Sequence, residues 1–96
     1  MTRIVWSPQS LRDIEAIRAY IAEDSPHYAD LTVRRIVGAV ERLADFPESG
    51  RMVPECSQHD IREVVVRTFR VVYRLSSETV EIATVFRGSQ EFPEQV

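Results

Sequence analysis

The spacing of apolar residues changes once along this chain, and that change limits the folds open to it. From Pro8 to Phe46 apolar side chains return every three or four residues, as on a helix; after Ile61 they alternate, as on a strand. With 96 residues there is room for one domain, read here as spanning 1–96. Helices and strands must therefore bury their apolar faces against each other, which predicts an α+β fold. A hydrophobic share of 44% and a charged share of 28% exclude a disordered chain. No apolar run approaches the ~18–20 residues of a membrane span, and no secretory signal follows Met1, so no membrane partner is expected.

The local signals divide the two halves further. Ile4-Val5-Trp6 is a short β-prone run ended by Ser7-Pro8, and Ser25-Pro26 repeats that pairing. A serine that can cap free N–H groups, followed by a proline at the first helical position, predicts a helix start at each. Leu11, Ile14, Ile17 and Ile21 form the stripe of the first helix. Ala29, Val33, Ile36, Val37, Val40, Leu43 and Ala44 form that of the second, which Pro47 should stop at Phe46. So short a break implies an antiparallel helical hairpin. Glu48–Asp60 reads as a loop.

Three alternating segments follow, Ile61–Arg67, Phe69–Leu75 and Val80–Arg87. With a turn at Arg67-Thr68, Val66 opposes Phe69, Val64 opposes Val71 and Arg62 opposes Tyr73. With a second at Ser77-Glu78, Leu75 opposes Val80, Tyr73 opposes Ile82, Val71 opposes Thr84 and Phe69 opposes Phe86. The helices would then cover Val64, Val66, Phe69, Val71, Tyr73, Leu75, Val80, Ile82 and Phe86. The outer face would carry Glu63, Val65, Arg70, Val72, Arg74, Glu81, Ala83, Val85 and Arg87, with Arg74 across from Glu81. Arg67-Thr68 lacks the Gly or Asn that tight hairpin turns favour, and a one-residue slip would exchange the faces.

All twelve basic residues are arginine. Residues 1–60 carry a net −3, residues 61–88 a net +2, and Glu91 and Glu94 bring the chain to −3. Such a distribution fits a local anionic contact better than a nucleic-acid coat. Arg70 and Arg87 are expected to converge on the outer face over Val72, Ala83 and Val85. There they either clamp phosphate or sit in ion pairs, Arg70 with Glu63 and Arg74 with Glu81. Val65, Val72, Ala83 and Val85 would form an apolar strip suited to another chain. Other chemistry finds little support. The single Cys56 excludes a disulfide framework and a four-thiolate zinc site, and fits a reducing cytoplasm. Cys56 and His59 lack an orienting third residue, His27 reads as surface, and Asp13/Glu15 and Asp45/Glu48 read as solvated helix. No phosphate-binding glycine loop occurs. No cofactor or metal is expected.

Taken together, Trp6-Ser7-Pro8 with Leu11–Ala22, the Phe46-Pro47-Glu48-Ser49-Gly50-Arg51 turn, Ile61–Val64, Phe69–Arg74 and Val80–Val85 resemble, in order, the RelE/ParE toxin superfamily, and within it the ParE-like branch. The resemblance implies a β-α-α-β-β-β domain with a helical hairpin on one face of a mainly antiparallel sheet. It implies a bacterial, plasmid-stabilising type of function: the toxin of a type II toxin–antitoxin pair, neutralised by a cognate antitoxin. ParE-like toxins poison DNA gyrase; RelE-like ones cleave mRNA on the ribosome. Arg70 matches an RNA-contacting arginine of the cleaving branch. That branch's lysines are absent, no tyrosine follows Tyr73, and Gln90 stands where an arginine is usual. The resemblance therefore points to a gyrase inhibitor rather than an enzyme. Ribosome-dependent cleavage with Arg70 and Arg87 as phosphate ligands, or a non-toxic antitoxin binder, are the alternatives. Val65, Arg70, Val72, Arg74, Val85 and Arg87 are the candidate contact residues for target or antitoxin.

Overall fold

Both helices begin where a serine hydroxyl and a proline meet. In the computed structural model, which describes residues 1–93, Ser7 accepts a hydrogen bond from the Ser10 amide at 3.0 Å. Ser25 accepts one from the Tyr28 amide at 3.1 Å. Helix α1 spans Pro8–Ala22 and α2 spans Pro26–Glu41. A 3₁₀ turn over Arg42–Ala44 closes α2, so helical winding ends just short of the expected Phe46. Arg18 of α1 pairs with Asp30 of α2 across the hairpin. Among the described residues no helix is long and apolar enough to cross a membrane.

The sheet has five strands: β1 (Arg3–Trp6), β2 (Arg51–Met52), β3 (Ile61–Val66), β4 (Phe69–Leu75) and β5 (Thr79–Arg87), in the order β1-β5-β4-β3-β2. Only β1 runs parallel to its neighbour, β5. The two-residue β2 lies inside the segment read from sequence as a loop. Otherwise the architecture is the expected one, two helices on one face of a mainly antiparallel sheet. The single-domain reading over 1–96 takes in residues 94–96, which lie outside the described ones.

The first hairpin has the predicted register, Val66 against Phe69 through Ile61 against Arg74. It achieves this without Gly or Asn because Arg67 takes φ 58, a left-handed conformation that costs a side-chain-bearing residue about 1–2 kcal/mol. The second hairpin agrees only at its start. Leu75 opposes Val80 and Tyr73 opposes Ile82, but Val72 then opposes Thr84, Val71 opposes Val85, Arg70 opposes Phe86 and Phe69 opposes Arg87. The expected Val71–Thr84 and Phe69–Phe86 pairs are not made.

Ala83 is the extra residue of a β-bulge, and past it the faces of β5 exchange. Val85 joins Ile36, Leu43, Val71, Tyr73 and Ile82 under the helices. Phe86, expected there, instead joins Val53, Ile61 and Val72 on the outer face. Helix α1 and its cap satisfy the polar groups that the bulge frees. The Ser7 hydroxyl donates to the Ala83 carbonyl at 2.9 Å. The Asp13 carboxylate accepts from the Thr84 hydroxyl at 2.6 Å and the Val85 amide at 2.9 Å. Asp13 is thus no solvated surface residue; of the Asp13/Glu15 pair only Glu15 is exposed.

Candidate functional site on the outer sheet face

The outer face is shaped by a turn that Tyr73 anchors. Its hydroxyl donates to the Pro47 carbonyl at 2.8 Å and accepts from the Gly50 amide at 3.0 Å. Burial raises this phenol above its ordinary pKa. A Cβ on Gly50 would lie 2.4 Å from the Tyr73 hydroxyl and 2.8 Å from the Glu63 carbonyl, so only glycine fits. The turn delivers β2 alongside β3, with Arg51 opposite Glu63. Beyond it, Val53 and Cys56 fold onto Ile61, Val72 and Phe86. A loop therefore covers the middle of the face expected to be open.

Charged side chains hold that cover in place. Glu63, whose side chain is fully buried, accepts from Arg70 Nε at 2.7 Å and from Arg51 Nε at 2.5 Å. Both terminal nitrogens of Arg70 donate to the Glu55 carboxylate, at 2.9 and 2.8 Å. The Arg70 guanidinium also lies 5.2 Å from the Phe86 ring centroid and 5.4 Å from that of Phe92, in cation–π range. The Arg70 hydrogen bonds lower the Glu55 pKa from 4.5 to about 2. Glu55, and after it Glu63, in turn push the guanidinium pKa upward.

Of the candidate contact residues, only some lie where the sequence reading put them. Arg70 is on the outer face and makes the expected pair with Glu63. Val65 is also outward and 52% exposed. Val72 is outward but fully buried beneath the loop, and Val85 has turned to the helix side. The continuous apolar strip is therefore not formed. Arg87 follows the bulge too, its guanidinium lying over the rings of Tyr20 and Phe69 at 5.9 and 5.3 Å. It does not share an apolar floor with Arg70. Arg74 stands opposite Glu81 as predicted but pairs with Asp60 at 2.9 Å. Cys56 is half-buried in the outer cluster and His59 exposed, and among the described residues no hydrogen bond joins them.

Arg51, Glu55 and Phe92 complete the Arg70 site, and the sequence reading missed all three. Each lies in a segment without periodicity, and the turn motif that ends at Arg51 gives no sign of its pairing with Glu63. A cleft of about 550 Å³ opens beside the clasp, lined by Arg51, Glu55, Val65, Arg67, Arg70 and Arg87 among others. It is cationic, yet Glu55, its one carboxylate among the described residues, is ion-paired. A group with a pKa near 2 is a poor general base at neutral pH. The site is equipped to hold an anion or a chain, and poorly equipped to move a proton.

A small domain of two helices on a five-stranded sheet matches a known fold. Its fold is similar to that of a chromosomal ParDE TA system from P. aeruginosa, with a TM-score of 0.73, 22% identity, and 91% of this chain and 96% of that one covered. The family described as ParE toxin of the type II toxin–antitoxin system parDE matches residues 4–92, and the chain belongs to that family. It is 39% identical to Y4kP of Sinorhizobium fredii, covering 96% of this chain and 94% of the relative. It is 34% identical to Toxin RelE2 of Caulobacter vibrioides, over 88% and 93% respectively.

Proposed function

We propose that this toxin-family chain acts in the cytoplasm by binding and poisoning DNA gyrase, and that a cognate antitoxin holds it in check. The observation that carries the choice of target is the state of Arg70. A phosphate-clamping arginine needs free donors aimed at its ligand. Here Nε serves Glu63, both terminal nitrogens serve Glu55, and two aromatic rings lie against the guanidinium. An RNA phosphate would have to displace Glu55 and would then find no poised base. Action by surface contact asks for neither.

The test is a gyrase assay with the isolated chain, scoring supercoiling and trapped cleavage complexes. Accumulated cleaved DNA is the expected result, and Arg70→Ala should weaken it only as far as it destabilises the fold. No effect on gyrase at excess protein, together with mRNA cleavage on translating ribosomes that Arg70→Ala abolishes, would overturn the proposal. Ribosome-dependent cleavage is the second reading, supported by the cationic cleft and by the 34% identity to a protein named Toxin RelE2. Silence in both assays would favour a non-toxic antitoxin binder.

A further inference from the structure

A second cleft, of about 380 Å³, lies where the connected end of the helical hairpin, at the α1–α2 turn, meets the β3–β4 turn. Ile21 and Val66 contribute apolar surface over the buried Ile36 and Phe69, Tyr28 stands half-exposed beside them, and Arg35, Arg67 and Arg87 supply the charge. Among the described residues no carboxylate lines it. Arg18, Arg51, Arg70 and Arg74 each have an acidic partner, while among the described residues Arg3, Arg12, Arg34, Arg42 and Arg62 make no ion pair but do not line this cleft. Among the described residues Arg35, Arg67 and Arg87 make none either, and they do line it.

Arg67 adds an independent signal. It occupies a left-handed turn position, φ 58, that glycine would fill without strain. Folding alone does not call for an arginine there. Strain retained beside a cleft points to a use for the side chain. We infer that this cleft docks a segment of a partner protein in which carboxylates flank an apolar side chain. The apolar residue would rest against Ile21, Tyr28 and Val66, and the carboxylates would meet the three arginines. A polynucleotide fits less well, because it needs an extended positive field and the chain as a whole carries −3. The inference rests on the toxin reading only for the partner's identity, the antitoxin being the protein a toxin must hold.

The probe is a fluorescein-labelled hexapeptide, Leu-Glu-Glu-Phe-Leu-Glu, compared by anisotropy with its Gln-for-Glu version and with a 12-nucleotide RNA. The acidic peptide should bind about tenfold tighter than the neutral one, the ratio for one well-made charged contact. Arg67→Gly should weaken that binding about tenfold while raising Tm by about 5 °C, since it removes both the cation and the strain. Arg35→Gln should weaken binding similarly, and Arg12→Gln, on the exposed side of α1, should not. Equal binding of both peptides, indifference to Arg67→Gly and Arg35→Gln, or tighter arginine-dependent binding of the RNA would each overturn the inference. Co-expression with the product of the adjoining gene separates the two levels. If that product binds wild-type and both arginine variants alike, the cleft is wrong and the toxin reading stands. If it binds none of them, the toxin reading itself loses its partner.

Discussion

On its helix side the sheet is covered by Ile36, Val40 and Leu43 and by the isoleucines of α1, packed against Phe69, Val71, Tyr73, Ile82 and Val85. On its outer side the cover is an irregular loop, four apolar residues and the Arg51–Glu63–Arg70–Glu55 chain of ion pairs. The first surface is closed by apolar area removed from water, a non-directional force that tolerates small shifts. The second depends on directional contacts, and losing one partner leaves another charge exposed to a poorly solvated site. Contact with another macromolecule is assigned above to the charged side and to the hairpin end, where polar groups and strain remain.

Substitutions can break this contrast. The largest expected loss comes from the helix side: Ile36→Ala should cost about 3–4 kcal/mol, the range for emptying a fully buried aliphatic site, measured by urea unfolding. Glu63→Ala should come close, at about 3 kcal/mol, because it leaves the buried Nε of Arg70 without its acceptor and empties a fully buried site. A loss below about 1 kcal/mol would mean that the loop, and not the charge, closes the outer face. Asp13→Ala should cost about 2 kcal/mol by leaving the Val85 amide without its acceptor. Faster hydrogen exchange at that amide would tie the effect to the bulge.

Glu55→Gln should have the smallest effect at neutral pH, and its signature is a pH dependence. The Glu55 carboxylate titrates lower in the folded chain than in the unfolded one, so its contribution is complete above the unfolded value of 4.5. It disappears as pH falls toward about 2. Wild type minus variant stability should therefore shrink across that window and be flat above it. A difference that stays constant down to pH 2 would show that the Glu55–Arg70 pair does not latch the loop.

The sequence was most legible where neighbours in the chain decide the outcome. Ser7-Pro8 and Ser25-Pro26 start helices because capping is a matter of three or four residues. Val66 opposes Phe69 because a two-residue turn sets its own register. Glu63 with Arg70 was readable once that register held. The bulge at Ala83 was not, since the groups that satisfy it, Ser7 and Asp13, lie some seventy residues earlier. One unseen residue moved Val85, Phe86 and Arg87 to opposite faces, and with them two of the six predicted contact residues.

Short-range periodicity, caps and turns were enough to set the order and kind of every element but β2, the first hairpin and the Arg70–Glu63 pair. Tertiary structure alone decided that the 53–58 loop would close over Val72, that Glu55 would occupy the outer edge of Arg70, and that three arginines would gather unpaired at the hairpin end. Those outcomes depend on which distant backbone groups need a partner once the helices have docked. No window of neighbouring residues contains that information.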